Sequence, residues 1–468
     1  QRAQQLRLDD LCTASASVRL GARRVMAAAK GAAVLGPTIV FRCSTRNTVY
    51  EVLKARPGWV ETQDDVDWDL CWADVGWVRD MYDQIQMDDD QRLNHFPNHY
   101  ELTRKDLMVK NLKRMRKQLE RNDCQAEAAS YCFWTGTFVL PSEYGMFVEE
   151  FKRSPGAVWI MKPIGRAQGR GIFLFNKLSQ ISEWKKDHRW KADQPQAEAY
   201  IAQRYVENPY LIGGKKFDLR LYVLVTSFNP LTVWLYNGGF ARFSGTRYCT
   251  DRAALANPYV HLTNVAIQKK AEDYDKEVGC KWDLQSLKMF LTLKHGARAV
   301  DELFYDMQCL ITRSLLSVQK TIIHDKHCFE LYGYDVLVDA DLKPWLLEVN
   351  ASPSLSAENA ADKKLKTQLI SDVLDVVDLE GRLEGDEQRV GSFRLIWANG
   401  PTDTRAAGGY STFLGTEKPR AAVVPAAAPP LPKPRQATKT IAGSPAVAGG
   451  GAAKGKGGGT DGRAVSDP

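Results

Sequence analysis

Tyr334-Asp335-Val336, Asp339-Ala340-Asp341 and Trp345-Leu346-Leu347-Glu348-Val349-Asn350 form the stretch on which the reading turns. The first and last pieces have the apolar character of strands, and Asp339–Asp341 between them reads as a turn. A hairpin then brings Asp335 beside Glu348. Glu348 and Asn350 are two apart on one strand, so they project to the same face. Two carboxylates and an amide oxygen are hard ligands of the kind Mg²⁺ takes, the remaining positions being filled by phosphate oxygens and water. The alternative is that Asp335 caps a turn while Glu348 pairs with a lysine. Against it, a carboxylate inside an apolar strand is expensive to bury without a partner.

Upstream, Trp159-Ile160-Met161-Lys162-Pro163 ends one strand on a lysine, and Gln168-Gly169-Arg170-Gly171 leads into the next. Glycines let backbone N–H groups approach phosphate oxygens, and the lysine adds a fixed charge. A plain hairpin turn would look the same. No GxxxxGK[ST] loop, kinase catalytic loop, or Ser/His/Asp or Cys/His pattern occurs. Next come Gln203-Arg204-Tyr205-Val206 and Lys216-Phe217-Asp218-Leu219-Arg220. Asp218 and Arg220 share a strand face; they read either as a surface pair or as a carboxylate beside an arginine able to clamp a phosphoryl group. Gly239-Phe240-Ala241-Arg242-Phe243 and His261-Leu262-Thr263-Asn264 add a further arginine and two small hydrogen-bonding side chains.

Strand-like runs at 157–161, 171–175, 199–206, 218–226, 232–236 and 329–338, with helical spacing at 282–293 and 300–323, predict an α+β fold. Largely antiparallel sheets and a small N-terminal α/β domain are expected. The anticipated divisions are a disordered segment 1–35, the α/β domain with a basic helix at 36–130, a central lobe 131–206, a C-terminal lobe 207–398, and a disordered Ala/Pro/Gly/basic tail 399–468. Residues 1–35 also have the Ala and Arg content of a transit segment, against which Asp9 and Asp10 argue.

The composition is that of a globular chain, 44% hydrophobic and 25% charged, with a formal charge of +7. Nine scattered cysteines show no zinc spacing or disulfide framework, which reads as reduced intracellular thiols. No apolar run is long enough to span a bilayer, and no recognition-helix or RNP pattern appears, so neither membrane nor nucleic acid is an expected partner. Thr103 followed by Asp106 predicts a capped helix start. Met108, Leu112, Met115 and Leu119 then fall on one face, with Lys110, Lys113, Arg114, Lys117 and Arg121 elsewhere. That charged side is either a solvated face or a surface for an acidic partner.

The order of these elements resembles the ATP-grasp ligases. Lys216–Arg220, His261–Asn264 and Leu347-Glu348-Val349-Asn350-Ala351-Ser352-Pro353-Ser354 are similar to signatures of the tubulin-tyrosine-ligase-like family over residues 38–397, and Asn98–Lys105 points to its polyglutamylase branch. The resemblance implies that ATP activates a glutamate side chain of a tubulin C-terminal tail as an acyl phosphate, which the amine of free glutamate attacks. It assigns Lys162 and the Gln168, Gly169 and Gly171 loop to the ATP phosphates, Gln203, Arg204, Tyr205 and Val206 to the adenine hinge, and Lys216, Phe217, Asp218, Thr263 and Asn264 to the nucleotide. Asp335, Glu348 and Asn350 would hold Mg²⁺, Arg220 the phosphoryl group, and Arg242, Lys281 and Lys366 the incoming glutamate. Lys110, Lys113, Arg114, Lys117 and Arg121 would face the acidic tail. Val265-Ala266 stands where many of the family's glutamylases carry Tyr-Ser, which leaves glycine and tyrosine open as donors. A microtubule-binding scaffold with a partner-dependent site is the other alternative. Gln168 hints at chain elongation. Accessory subunits, the cytoplasm, the cytoskeleton, the ciliary or flagellar axoneme and the basal body follow as expectations from the substrate.

Overall fold

A computed structural model describes residues 38–181, 199–271, 280–402 and 411–416. Three sheets appear in chain order. β1 (Ile39–Cys43), β2 (Trp59–Glu61), β3 (Leu70–Trp72) and β4 (Arg92–Leu93) form a parallel sheet in the order β2-β1-β3-β4. Its first helix, Thr48–Ala55, starts where the Asn47 side chain accepts from the Val49 N–H, satisfying one of the N–H groups left open at a helix start. β5 (Thr137–Leu140), β6 (Trp159–Pro163), β7 (Phe173–Phe175) and β8 (Tyr200–Arg204) make an antiparallel sheet, β5-β8-β6-β7.

The third sheet is the frame of the molecule. It contains β9 (Leu211–Ile212), β10 (Lys215–Phe228), β11 (Leu231–Phe243), β12 (Lys281–Asp283), β13 (Glu330–Val338), β14 (Pro344–Asn350), β15 (Arg389–Val390) and β16 (Phe393–Ala398). Its path is β14-β13-β10-β11-β16-β15, with β12 on β11 and β9 on β10, every pair antiparallel. The α+β class with largely antiparallel sheets and a small N-terminal α/β unit is what the sequence pattern led one to expect.

Alternation along β10 explains how one strand serves two layers. Leu219, Leu221, Val223 and Val225 are buried in the main core, with Leu287, Leu291, Leu303, Phe304 and Leu310 of the helices Leu284–His295 and Ala297–Val318. Tyr222 and Leu224 enter a second core with Phe41, Val49 and the helix Ala360–Val377. Further toward its start, that second face carries Lys216, Asp218 and Arg220 instead of apolar residues. The small sheet has its own core around Phe147, Trp159 and Phe175.

Two expectations are corrected. The basic helix runs Lys105–Arg121, and Thr103 does not cap it. Thr103 Oγ1 donates to His99 O, closing the preceding turn Tyr100–Thr103, while Asp106 is taken by Arg104 (2.8 Å). The inward face is as expected, with Met108 and Leu112 buried and Met115 and Leu119 packed against the core. The folded part also continues past residue 399. Phe413 and Leu414 are buried, Arg389 lies over the Phe413 ring, and the Gly415 N–H donates to Asn237 O. Residues 1–37 and 417–468, on which the expectations of disorder and transit character fall, lie outside the described residues. Among the described residues no helix is long and apolar enough to cross a membrane.

Gly239 on β11 leaves no room for a side chain against β10: a Cβ there would lie 2.5 Å from the backbone oxygen of Arg220. Gly239→Ala is therefore expected to destabilise the protein by about 1–3 kcal/mol, since the strands must part to admit a methyl group. Urea unfolding with an unchanged slope and a lowered midpoint is the expected result.

Candidate functional site

Four neighbouring strands bring the charged residues into one row. Asp218 on β10 faces Arg242 on β11, Arg220 on β10 faces Asp335 on β13, and Asp335 faces Glu348 on β14. Arg220 Nε donates to Asp335 Oδ1 at 2.6 Å, and Arg242 reaches both Asp335 Oδ2 at 2.8 Å and Asp218. All four are buried. Burial alone would raise the Asp335 pKa, but Arg220 and then Arg242 outweigh it and hold the carboxyl well below the usual range.

Glu348 and Asn350 stand at the edge of this row. Glu348 Oε2 is 3.2 Å from Lys105 Nζ, so the lysine partner in the alternative reading exists, and it comes from the N-terminal region. Asn350 Nδ2 donates to Gly333 O at 3.1 Å, which leaves Oδ1 as the atom free of that bond. Among the described residues no group of three or more His, Cys, Asp or Glu is arranged to hold a metal. The set here is two carboxylates and an amide. It fits a hard cation whose coordination is completed by phosphate and water, and it does not fit a closed protein cage.

Above the row lies a cleft of about 830 Å³, part of it open to solvent, between the β5–β8 sheet and the large sheet. Lys162, Gln203, Lys216, Asp218, Asp335 and Glu348 all line it. Lys162 donates to Gln203 Oε1 at 2.7 Å, and burial lowers its pKa to about 8 against the pull of Glu348. Lys216 donates to Tyr205 Oη and to His261 O, both at 2.9 Å. Burial takes its pKa down to about 7, although Asp218 opposes the shift.

The Tyr205–His261 contact has a defined polarity. His261 Nε2 is 3.1 Å from Ala254 O, which can only accept, so Nε2 carries the proton. Nδ1 then accepts from Tyr205, whose oxygen is in turn free to accept from Lys216. Burial, followed by Lys216, depresses the imidazole pKa to about 4, so the ring stays neutral.

The loop over the cleft turns through Gln168 (φ 62°) and Gly169 (φ 77°), both left-handed. A Cβ on Gly169 would come 2.5 Å from Ile267 Cδ1 and 2.9 Å from Asn264 Oδ1, so only glycine fits there. Thr263, Asn264, Arg204 and Val206 also line the cleft.

Several expected residues stand elsewhere. Phe217 is fully buried against Phe243 and Tyr210, because it has the opposite parity to Lys216 and Asp218 on β10; its side chain faces the core and not the cleft. Arg220, Arg242 and Asn350 are adjacent to the cleft lining without belonging to it, and Gly171 packs against Pro163 behind the loop. Lys281 pairs with Glu358 (2.7 Å) and Asp362 (3.3 Å), and Lys366 with Asp362 (2.9 Å). They form a second charged group reached through the register Arg242–Lys281. On the basic helix, Lys113 meets Glu143 (3.2 Å) and Arg114 donates to Ser317 O and Thr321 Oγ1. Lys110, Lys117 and Arg121 are exposed. Lys105 was missed as a site residue; its only signal was its place in the Asn98–Lys105 stretch.

The sequence pattern of the tubulin-tyrosine ligase family matches residues 83–384. The chain is 54% identical over 391 residues to the probable tubulin polyglutamylase TTLL9 of Rattus norvegicus, covering 78% of this chain and 84% of that protein. It is 48% identical over 362 residues to the probable tubulin polyglutamylase ttll-9 of Caenorhabditis elegans, covering 77% and 85%. It is 46% identical over 368 residues to the probable alpha-tubulin polyglutamylase Ttll1 of Tetrahymena thermophila, covering 73% and 89%.

Lys162 and Lys216 lose charge through burial near neutral pH, and a polyphosphate in the cleft would restore it. Binding of such a ligand at pH 8 should therefore take up protons, and affinity should fall as pH rises through about 7 to 8. Calorimetry in two buffers of different ionisation enthalpy reads the uptake directly; identical heats in both would contradict it.

Proposed function

The chain belongs to the tubulin-tyrosine ligase family, and we propose that it is a tubulin polyglutamylase, joining glutamate to glutamate side chains of tubulin C-terminal tails with ATP and Mg²⁺ in an ATP-grasp-type cleft. The observation that carries this reading is the convergence of Lys162, Lys216, Asp335 and Glu348 on one cleft roofed by the Gln168–Gly169 turn.

Amide formation from a free carboxylate is uphill, so the tail carboxylate must first become an electrophile. Phosphoryl transfer makes it an acyl phosphate, and the amine of free glutamate then displaces phosphate. Bound Mg²⁺ would neutralise the charge that develops on the phosphates. Asp335, Glu348 and the Asn350 Oδ1 are the oxygens to hold it, and Lys162 and Lys216 are the cations to meet phosphate. Gln203, Arg204, Tyr205 and Val206 border the adenine end, with Asp218 toward the ribose and Thr263 and Asn264 opposite. Arg220, locked by Asp335 beside the cleft lining, would act on the transferring group as a fixed positive charge rather than by direct contact. No enzyme nucleophile takes part; orienting the reactants can supply roughly 7–11 kcal/mol of the barrier.

Arg242, Lys281 and Lys366 are assigned to the donor amino acid. Val265-Ala266, directly after Asn264, keeps a glycine or tyrosine donor as the second reading. Gln168 at the lip of the cleft favours elongation of an existing side chain. The sites of action proposed are cytoplasmic microtubules, axonemes and basal bodies, with accessory subunits as further partners.

Tubulin tails incubated with the protein, ATP, Mg²⁺ and each labelled amino acid should gain glutamate mass, read by mass spectrometry. Glu348→Gln should lower that gain by at least about 100-fold, the scale of losing one group that stabilises transition-state charge. Mass gained from glycine or tyrosine instead would select the second reading. Reversing Lys110, Lys117 and Arg121 to Glu should weaken activity on microtubules while leaving nucleotide affinity unchanged. The deficit should be largest at low salt, where the screening length exceeds the ~8 Å of physiological ionic strength and the charges act over a longer range; equal activity on microtubules at low salt would remove the helix from the substrate surface.

A further inference from the structure

Lys105 belongs both to the basic helix and to the cleft. It is the first residue of the helix Lys105–Arg121, it lines the cleft, and its Nζ lies 3.2 Å from Glu348 Oε2. Helix energetics do not account for a lysine there, since the N-terminal end of a helix favours an anion over a cation. The charge is also felt at Lys162: after burial itself, Glu348 raises the Lys162 pKa and Lys105 lowers it. The Lys105 and Glu348 side chains are 12% and 23% exposed, so the pair is not sealed from the cleft.

A groove of about 1630 Å³, much of it open to solvent, follows the same helix. Lys110, Lys113, Lys117 and Arg121 line it, and it extends to Asp106, the residue next to Lys105. From Lys117 to Lys105 the helix rises ~18 Å, the span of roughly five or six residues of extended chain. A short acidic segment laid along the groove therefore reaches Lys105 with one of its carboxylates.

An acceptor carboxylate entering the cleft meets like charge on Asp335 and Glu348 and, with nucleotide bound, on phosphate. It needs a cation. Arg220 and Arg242 are held by Asp218 and Asp335, and Lys162 and Lys216 are assigned to phosphate. Arg204 donates to Ser154 Oγ at 3.0 Å. Lys105 differs in that its partner, Glu348, is a residue Mg²⁺ would claim. A carboxylate that shares its charge with a metal holds a neighbouring ammonium less strongly, and the ammonium can then turn to a second carboxylate.

We propose that Lys105 binds the acceptor carboxylate of the substrate and is released from Glu348 to do so when Mg²⁺ and nucleotide occupy the cleft; this rests on the ligase reading above. Nucleotide and metal then bind first, and the acceptor is gripped second. Lys105 transfers no proton. It holds the carboxylate whose oxygen forms the new bond to the terminal phosphorus, while ADP leaves with the electron pair of the broken P–O bond.

The test measures binding without turnover, on the full chain. A fluorescein-labelled hexaglutamate peptide is titrated with protein and a non-hydrolysable ATP analogue, with and without Mg²⁺ at constant ionic strength, and read by anisotropy. Wild-type protein should bind the peptide about 10-fold more tightly with Mg²⁺, the scale of one hydrogen bond to a charged group. Lys105→Gln, which can still hydrogen-bond to Glu348 but carries no charge, should lose that gain, and Lys105→Arg should keep most of it. Calorimetry should show no fall in Mg²⁺–nucleotide affinity for Lys105→Gln, which also reports that the variant is folded. A gain that survives in Lys105→Gln overturns the proposal. So does a loss of Mg²⁺–nucleotide affinity in that variant, since Lys105 would then only hold Glu348 in place. Wild-type protein that binds Mg²⁺ and nucleotide without any gain in peptide affinity overturns it too, and leaves the ligase reading standing. Wild-type protein that binds no nucleotide brings down the ligase reading itself.

Discussion

Two aspartates and two arginines, paired in register across β10, β11 and β13, are the interaction on which the rest of the structure depends. Asp218–Arg242 and Arg220–Asp335 are cross-strand neighbours, and Arg242 also reaches Asp335. Each ion buried alone would carry a penalty of several kcal/mol, and only mutual pairing with satisfied hydrogen bonds offsets it. A one-residue slip of β10 would turn Asp218 and Arg220 into the apolar core and bring Leu219 to the cleft. The charge row and the hydrophobic core therefore enforce one register together.

That register fixes everything above it. With Asp335 neutralised from below, Glu348 and Asn350 on the outer strand are left to define the rim, and Lys105 reaches Glu348 from the N-terminal region. Lys162 and Lys216 enter from two different sheets and are desolvated without a full counter-charge, so their pKa values fall to about 8 and about 7. Cations buried in this way are prepared for an anion, since a phosphate group supplies the charge partner the protein withholds. The left-handed turn at Gln168–Gly169 then brings backbone close to Asn264, where a side chain would not fit.

Most of this frame was legible in the sequence, because it is written in local periodicity. The hairpin of Asp335 and Glu348, the parity of Asp218 and Arg220, and the apolar face of the Lys105–Arg121 helix all follow from spacing alone. The same parity rule should have set Phe217 among core residues; its place inside a binding motif obscured that. Thr103 carried a genuine capping signal, but the nearer carbonyl of His99 and the pairing of Arg104 with Asp106 took both groups. What could not be read were contacts between distant segments. Lys105 and Glu348, the chain of His95, Glu330 and Ser352, and the return of Phe413 and Leu414 to the core join residues with no shared pattern.

The central claim is that the cleft activates a carboxylate by phosphorylating it, and isotope transfer tests this most directly. Tubulin tails carrying ¹⁸O in their side-chain carboxylates would be incubated with the protein, ATP, Mg²⁺ and glutamate, and the released phosphate analysed by mass spectrometry. An acyl phosphate requires that phosphate depart with an oxygen taken from the tail, so labelled phosphate should appear in step with each glutamate joined. Ligation accompanied by unlabelled phosphate would contradict the account.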